Sequence, residues 1–210
     1  MNMKKNIVLL GKGSLAIKAA SWLKENHNLI LVVPDMPEPT WTGSLKSWSE
    51  NNNVKFIKSG NYKDVDNNLK IDLAISIFYG KIIKKEFIER CENIINLHNG
   101  PLPKYRGVRP INWALKNNEN NHGVTIHKIS EGIDDGPILG QVKYPIYPEV
   151  EEVEDVYTKS LDYGWILFLD VMNNIDYALE TAKDQTGEAS YYSMKKNHLL
   201  GDRSDFRRNT

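Results

Sequence analysis

The chain has 210 residues, 40% hydrophobic and 26% charged, a globular composition with ample length for a packed core that needs no covalent staple. Lysine plus arginine equals aspartate plus glutamate at 27 each, so no basic surplus attracts a phosphate backbone and small molecules, not nucleic acid, are the expected partners. Cys91 is the single cysteine, which excludes an intrachain disulfide and fits a reducing compartment.

The first apolar run, Asn6 to Leu10, is too short for a signal-peptide core or a membrane span. It reads as a buried strand closed by Gly11, and a cytoplasmic protein with no membrane partner is expected. A helix follows from Ser14, as N-cap, to about Glu25, with Leu15, Ile17, Ala19, Trp22 and Leu23 on its apolar face. Leu29 to Val33 is the second strand and Leu45 to Glu50 the second helix. Val54 to Ile57 reads as a third strand, Leu73 to Phe78 as a fourth, IIKKEFIER as a short helix, and Ile94 to Leu97 as a fifth strand. Cys91 sits in FIERCENII at a helix end with no glycine elbow or partner motif, so a half-buried structural thiol is expected. Short buried strands alternating with helices predict an α/β fold, a mostly parallel sheet with helices on both faces.

After Pro103 the rhythm changes. Arg109 to Leu115 reads as helix, and GVTIHKI and PILGQVKY as two strands joined by SEGIDDG. The acidic run EVEEVEDVY opens a long helix reaching about Leu179, its acids at the positive end of the helix dipole. Val153, Val156, Leu161 and Phe168 mark its packing stripe. The expected division is a domain over 1–184 and a polar extension over 185–210 that orders only by docking elsewhere.

Two stretches bear on chemistry. GKGSLA, Gly11 to Ala16, lies at the first strand-to-helix turn and fits the permissive dinucleotide fingerprint, with Asp35 after the second strand. Any tight turn in an open α/β sheet favours glycine, so this alone reads as turn chemistry. NLHNGPLPKYRGVRP, residues 96–110, is more specific. Asn96 and His98 are two apart at the carboxyl end of a strand, so their side chains point the same way, where open α/β sheets gather ligands. Asn96 offers an amide donor, and His98 a general base or, charged, an oxyanion partner. Pro101 and Pro103 stiffen the loop that follows. Asp134, on the glycine-bounded loop, can orient His98 or receive a proton through water; Asp135 competes for that role, and either can be a simple turn residue.

NLH followed by LPKYRG, then GVTIH and EGIDDGPI, preceded by ISIFYGKII, resembles the folate-dependent formyltransferases over roughly residues 5–180. The resemblance implies a Rossmann-like formyltransferase fold and N10-formyltetrahydrofolate as co-substrate, with no metal. It casts Asn96 as bonding the formyl oxygen, His98 as stabilising the tetrahedral oxyanion, and Asp134 as tuning His98 and relaying the proton lost by the amine. It puts the pterin against Phe78, Tyr79, Gly80, Lys81, Ile82 and Ile83, and against Glu131, Gly132, Ile133 and Asp134. It puts the acceptor against Gly11, Lys12, Gly13, Asn99 and Arg106. Many relatives have serine and leucine where this chain has Gly100 and Pro101, which bears on the acceptor side.

Within that resemblance the chain is most similar to enzymes acting on nucleotide-linked amino sugars, such as a dTDP-4-amino-4,6-dideoxyhexose of lipopolysaccharide O-antigen. NLH followed by Asn99, and HGVTIH, carry that similarity. Glycinamide ribonucleotide is the runner-up acceptor: GKGSL partly matches its glycine-serine turn, but Leu15 stands where those enzymes have asparagine. Methionyl-tRNA ranks last, because its enzymes carry an additional C-terminal domain and this chain has no net positive charge. A homodimer is expected. An NAD-dependent oxidoreductase, or a binding module on a degenerate fold, are the competing classes; the first leaves NLH and GIDDG unexplained, and intact Asn96, His98 and Asp134 speak against the second.

Overall fold

A computed structural model describes residues 4–200; the GDRSDFRRNT end of the polar extension lies outside the described residues. The chain divides into two compact units, Met1–Leu97 and His98–Thr210.

In the first unit the elements are β1 (Asn6–Gly11), α1 (Gly13–Asn26), β2 (Asn28–Pro34), α2 (Leu45–Asn51), β3 (Leu73–Ile77), α3 (Lys85–Ile88) and β4 (Ile94–His98), whose last residue opens the second unit. The strands pair in parallel in the order β2-β1-β3-β4. Ile7 to Leu10 and Leu73 to Ile77 are buried throughout, as continuous apolar runs in a parallel sheet require. Gly11 closes β1 where no side chain fits: a Cβ there would lie 2.2 Å from the Ile77 carbonyl oxygen.

The first unit departs from the sequence expectation at three places. Ser14 is not the N-cap; Lys12 is, and Ser14 lies inside the helix because Gly13 takes φ +79° to turn the chain. Val54–Ile57 is not a strand but a single bridge from Phe56 to Val32. It is held by Val32 N to Lys55 O and Ile57 N to Val32 O, after which the chain turns at Gly60. IIKKEFIER condenses to the four residues of α3, because the Tyr62 hydroxyl donates to Ile82 O and accepts from Lys84 N, diverting those groups from a helical ladder.

The second unit holds β5 (Arg106–Gly107), α4 (Pro110–Lys116), β6 (Asn121–Lys128), β7 (Ile138–Pro145), α5 (Val153–Asn173), α6 (Ile175–Glu180) and β8 (Tyr191–Tyr192). β6 and β7 form an antiparallel hairpin, and β5 pairs in parallel with β8. α5 packs on both hairpin strands, burying Val156, Leu167, Phe168 and Val171. Glu152 and Asp155 close a capping box at its start, while Glu151 accepts from Tyr147 N and pairs with Lys159. The helix predicted to run unbroken to Leu179 stops instead at Asn174, whose φ of −128° leaves the helical region; α6 restarts the ladder beyond it. Parallel pairing in the first unit and a hairpin in the second make the chain an α/β protein with mixed, mostly parallel strands. No described helix is long and apolar enough to cross a membrane.

Candidate active site

His98 ends β4 and is 6% exposed. The turn that follows is pinned to the hairpin by side chains from β6 and β7. Thr125 Oγ1 donates to Gly100 O at 2.7 Å and accepts from Leu102 N at 3.2 Å, and Gln141 Nε2 donates to Leu102 O at 2.8 Å. The two prolines thus work on a loop already clamped. Gly100 leaves room for the imidazole: a Cβ there would lie 2.8 Å from His98 Nε2.

Both ring nitrogens of His98 face acceptors. Nε2 lies 2.8 Å from Tyr105 O, and Nδ1 lies 3.5 Å from Asp134 Oδ2. A carbonyl only accepts, so Nε2 carries the proton in the neutral ring, and Nδ1–H exists only in the cation. Burial pushes His98 below its ordinary value; the Asp134 charge pulls upward, His127 pushes down, and Tyr105 O pulls upward, with the net shift downward.

Asp134 sits on the loop between β6 and β7 with φ +51°. Its Oδ2 accepts from Gly107 N at 2.8 Å, and its Oδ1 lies 3.5 Å from His127 Nε2. Burial alone would raise this carboxyl. The neighbouring His98, the hydrogen bond from His127 and that from Gly107 N reverse the effect and hold it far below the usual carboxylate range. The site therefore keeps one carboxylate anionic between two imidazoles whose rings meet edge to face at 6.4 Å. Asp135 faces away: it accepts from Ser130 Oγ and closes over Gly132. Asp134, not its neighbour, is the acid beside His98.

Some expected acceptor and pterin positions are engaged within the protein. Arg106 donates to Gln185 Oε1 through Nε at 3.1 Å and Nη2 at 2.7 Å, and the Asn99 carbonyl accepts from His122 Nε2 at 3.0 Å. Asn99 Oδ1 is buried without a partner. Glu131 and Gly132 are exposed and Ile133 half-buried.

In the first unit, half-buried Asn96 pairs in register with Ser76. Asp35 gathers the other expected residues: its carboxylate meets Lys12 Nζ at 2.6 Å, Lys81 Nζ at 3.2 Å and Gly80 N at 3.0 Å. Lys81 also donates to Gly60 O at 3.0 Å, and Tyr79 donates to the same oxygen at 2.8 Å. Burial pushes the Tyr79 phenol up to about 12, against the hydrogen bond from Tyr62 N. Phe78, at φ +57°, turns the chain out of β3, and beyond it Ile82 is exposed while Ile83 is buried. A carboxylate taken by two ammonium groups and an amide is not the free ribose acceptor a dinucleotide site needs. Among the described residues no group of three His, Cys, Asp or Glu is placed to hold a metal ion.

His127, Gly107 and Gln185 are site neighbours that the motif reading passes over. His127 had a signal, since Asp134's loop begins two residues after it; Gln185 had none.

A profile described as Formyl transferase matches residues 5–172. The chain belongs to the formyl transferase family. Methionyl-tRNA formyltransferase of Thermodesulfovibrio yellowstonii is 33% identical over 207 residues, covering 92% of this chain and 67% of that one. The chain thus spans about two thirds of that relative. Two solved structures of formyl transferases are also similar. One is an N-formyltransferase from Helicobacter canadensis in complex with folinic acid and dTDP-3-aminofucose, at 29% identity and TM-score 0.79, covering 92% of this chain and 72% of that one. The other, WlaRD, is a sugar 3N-formyl transferase crystallised with dTDP and 5-N-formyl-THF, at 30% identity and TM-score 0.77, covering 93% and 72%. Family membership sets the dehydrogenase reading aside.

Proposed function

We propose that this formyl transferase moves a formyl group from N10-formyltetrahydrofolate to the amino group of a nucleotide-linked amino sugar. The observation that carries the chemistry is the buried His98–Asp134 pair, an anionic carboxylate beside a ring held short of protonation. In the proposed reaction the neutral amine attacks the formyl carbon, and the carbonyl oxygen gains charge. Asn96 is the residue proposed to donate to that oxygen. The carbon–N10 bond then breaks. The proton lost by the amine passes to the Asp134–His98 pair, where the imidazolium has an acceptor at each nitrogen, and the released N10 takes a proton back, so the transfer is proton-neutral.

The folate donor is supported by the formylated folates in the two similar structures, and Phe78 to Ile83 and Glu131 to Ile133 are the residues proposed to meet it. The amino-sugar acceptor is supported by the dTDP-3-aminofucose bound to the Helicobacter canadensis protein and by the dTDP present with WlaRD, a sugar 3N-formyl transferase; 3-amino as well as 4-amino sugars therefore belong among the acceptors tried. Gly11, Lys12, Gly13, Asn99 and Arg106 remain the proposed acceptor side. A second reading, methionyl-tRNA as acceptor, is favoured by the 33% identity to the Thermodesulfovibrio protein. The cytoplasm and a homodimer complete the proposal.

The test is a panel assay with N10-formyltetrahydrofolate and, separately, dTDP-3-amino and dTDP-4-amino sugars, methionyl-tRNA and glycinamide ribonucleotide. Formylated sugar as the fastest product is the expected result. Faster formylation of methionyl-tRNA establishes the second reading, and no formyl transfer to any of them rejects both.

A further inference from the structure

Two short stretches contact the His98–Asp134 pair from outside it. Tyr105 to Gly107 supplies the carbonyl on His98 Nε2 and the amide on Asp134 Oδ2. The 134–136 turn carries Asp134 itself, at a φ of +51° that a non-glycine residue holds only when its surroundings fix it. Besides the Asp134 carboxylate on Gly107 N, a second side chain bridges these stretches. Gln185 Nε2 donates to Asp134 O at 2.8 Å and to Gly136 O at 2.9 Å, while its Oε1 accepts two bonds from Arg106. Both amide protons and the amide oxygen are thus used, and all partners lie beside the pair. The residues that follow reinforce one side: Ser190 O accepts from Arg106 N at 2.9 Å, Ser190 Oγ from Tyr105 N at 2.8 Å, and Tyr192 O from Val108 N at 2.9 Å. The Tyr192 ring stacks on Tyr105 and Trp113 at 5.6 and 4.3 Å.

We infer that Gln185 is a positioning residue: by tying the Asp134 turn to the Arg106 strand it sets the separation between the Asp134 carboxylate and the His98 ring. Nothing else about a glutamine among carbonyls calls for all of its hydrogen-bonding capacity to be spent on this turn and this strand. The consequence for rate rests on the proposed role of the pair in formyl transfer; the geometric claim does not.

The experiment reads that geometry directly. The groups facing His98 are Asp134, His127, His122 and the Tyr105 carbonyl, so the ring protons of the three histidines are titrated by NMR in the full chain. Gln185→Met keeps the volume and removes all four hydrogen bonds without adding charge. Released, Asp134 moves from His98 and withdraws its upward pull, so His98 titrates at lower pH, by roughly half a unit or more. In the formyl-transfer assay kcat falls about tenfold or more, with the acceptor KM little changed. Gln185→Asn, one methylene shorter, keeps an amide but cannot span both stretches; it should move His98 the same way and serves if the methionine variant does not fold. A His98 titration that overlays the wild type in a folded Gln185 variant overturns the inference. A shifted titration in a protein whose turnover is indifferent to His98→Ala upholds the positioning and rejects the catalytic reading instead.

Discussion

Neutral imidazole has one N–H to give, and His98 faces an acceptor at each nitrogen. Protonation would satisfy both, while burial opposes it, so the ring stands ready to take a proton that Asp134 can hold beside it. His98→Ala and Asp134→Ala should each lower turnover about a hundredfold or more. The double variant should cost little beyond the worse single one, because residues that act as a unit are not additive. Asp135→Ala, whose carboxylate faces Ser130, should be mild. Additive losses in log kcat would break the coupled pair. His122 tests burial without catalysis: fully buried, its ring is pushed by desolvation, against the Asn99 hydrogen bond, down to about 4. The unfolded chain takes up that proton near pH 6.5, so stability falls as pH drops from there toward 4, by on the order of 3 kcal/mol from this residue. Urea unfolding at pH 7 and 4.5 should show a smaller acid loss for His122→Gln than for wild type; His98, also shifted downward, contributes to the loss in both.

At the scale of elements, the turn from β1 into α1 depends on Gly11. Its missing Cβ would meet a backbone oxygen at 2.2 Å, not a flexible side chain, so Gly11→Ala should destabilise the protein by roughly 3 kcal/mol, read from denaturant midpoints. That glycine was visible in the sequence, as were β1, β3 and β4, because continuous apolar runs bounded by polar residues have few other uses. Val54–Ile57 shows the limit: alternation identifies an extended segment but not whether a partner strand lies alongside it. Asn174 shows another, since no proline or glycine announces the break between α5 and α6. In the site, His98 and Asp134 were legible because each sits in a distinctive loop. His127 carried only the nearness of Asp134's loop as a signal, set within the apolar alternation of β6. Gln185 was invisible because Arg106, Asp134 O and Gly136 O lie 79, 51 and 49 residues away, and main-chain acceptors leave no trace in residue identities.

At the scale of the whole molecule, the balanced charge of the sequence is partly spent in pairs: Asp35 joins the ends of β1 and β2 to the segment after β3 through Lys12 and Lys81. The protein's lone thiol, on the same unit, turns this architecture into something measurable. Cys91 is 9% exposed, its Sγ donates to Phe87 O at 3.3 Å, and burial pushes it up to about 11. Thiolate is the reactive form, so in the native protein an alkylating reagent should find almost none. Modification then proceeds only when the first unit opens, and a single sulfur makes the kinetics a stopwatch for that opening, uncluttered by other sites. Saturating folate should lengthen the clock if the donor docks on the Phe78–Ile83 segment, by the linkage between ligand and opening. An unchanged labelling rate under saturating folate would move the donor's contacts away from the first unit.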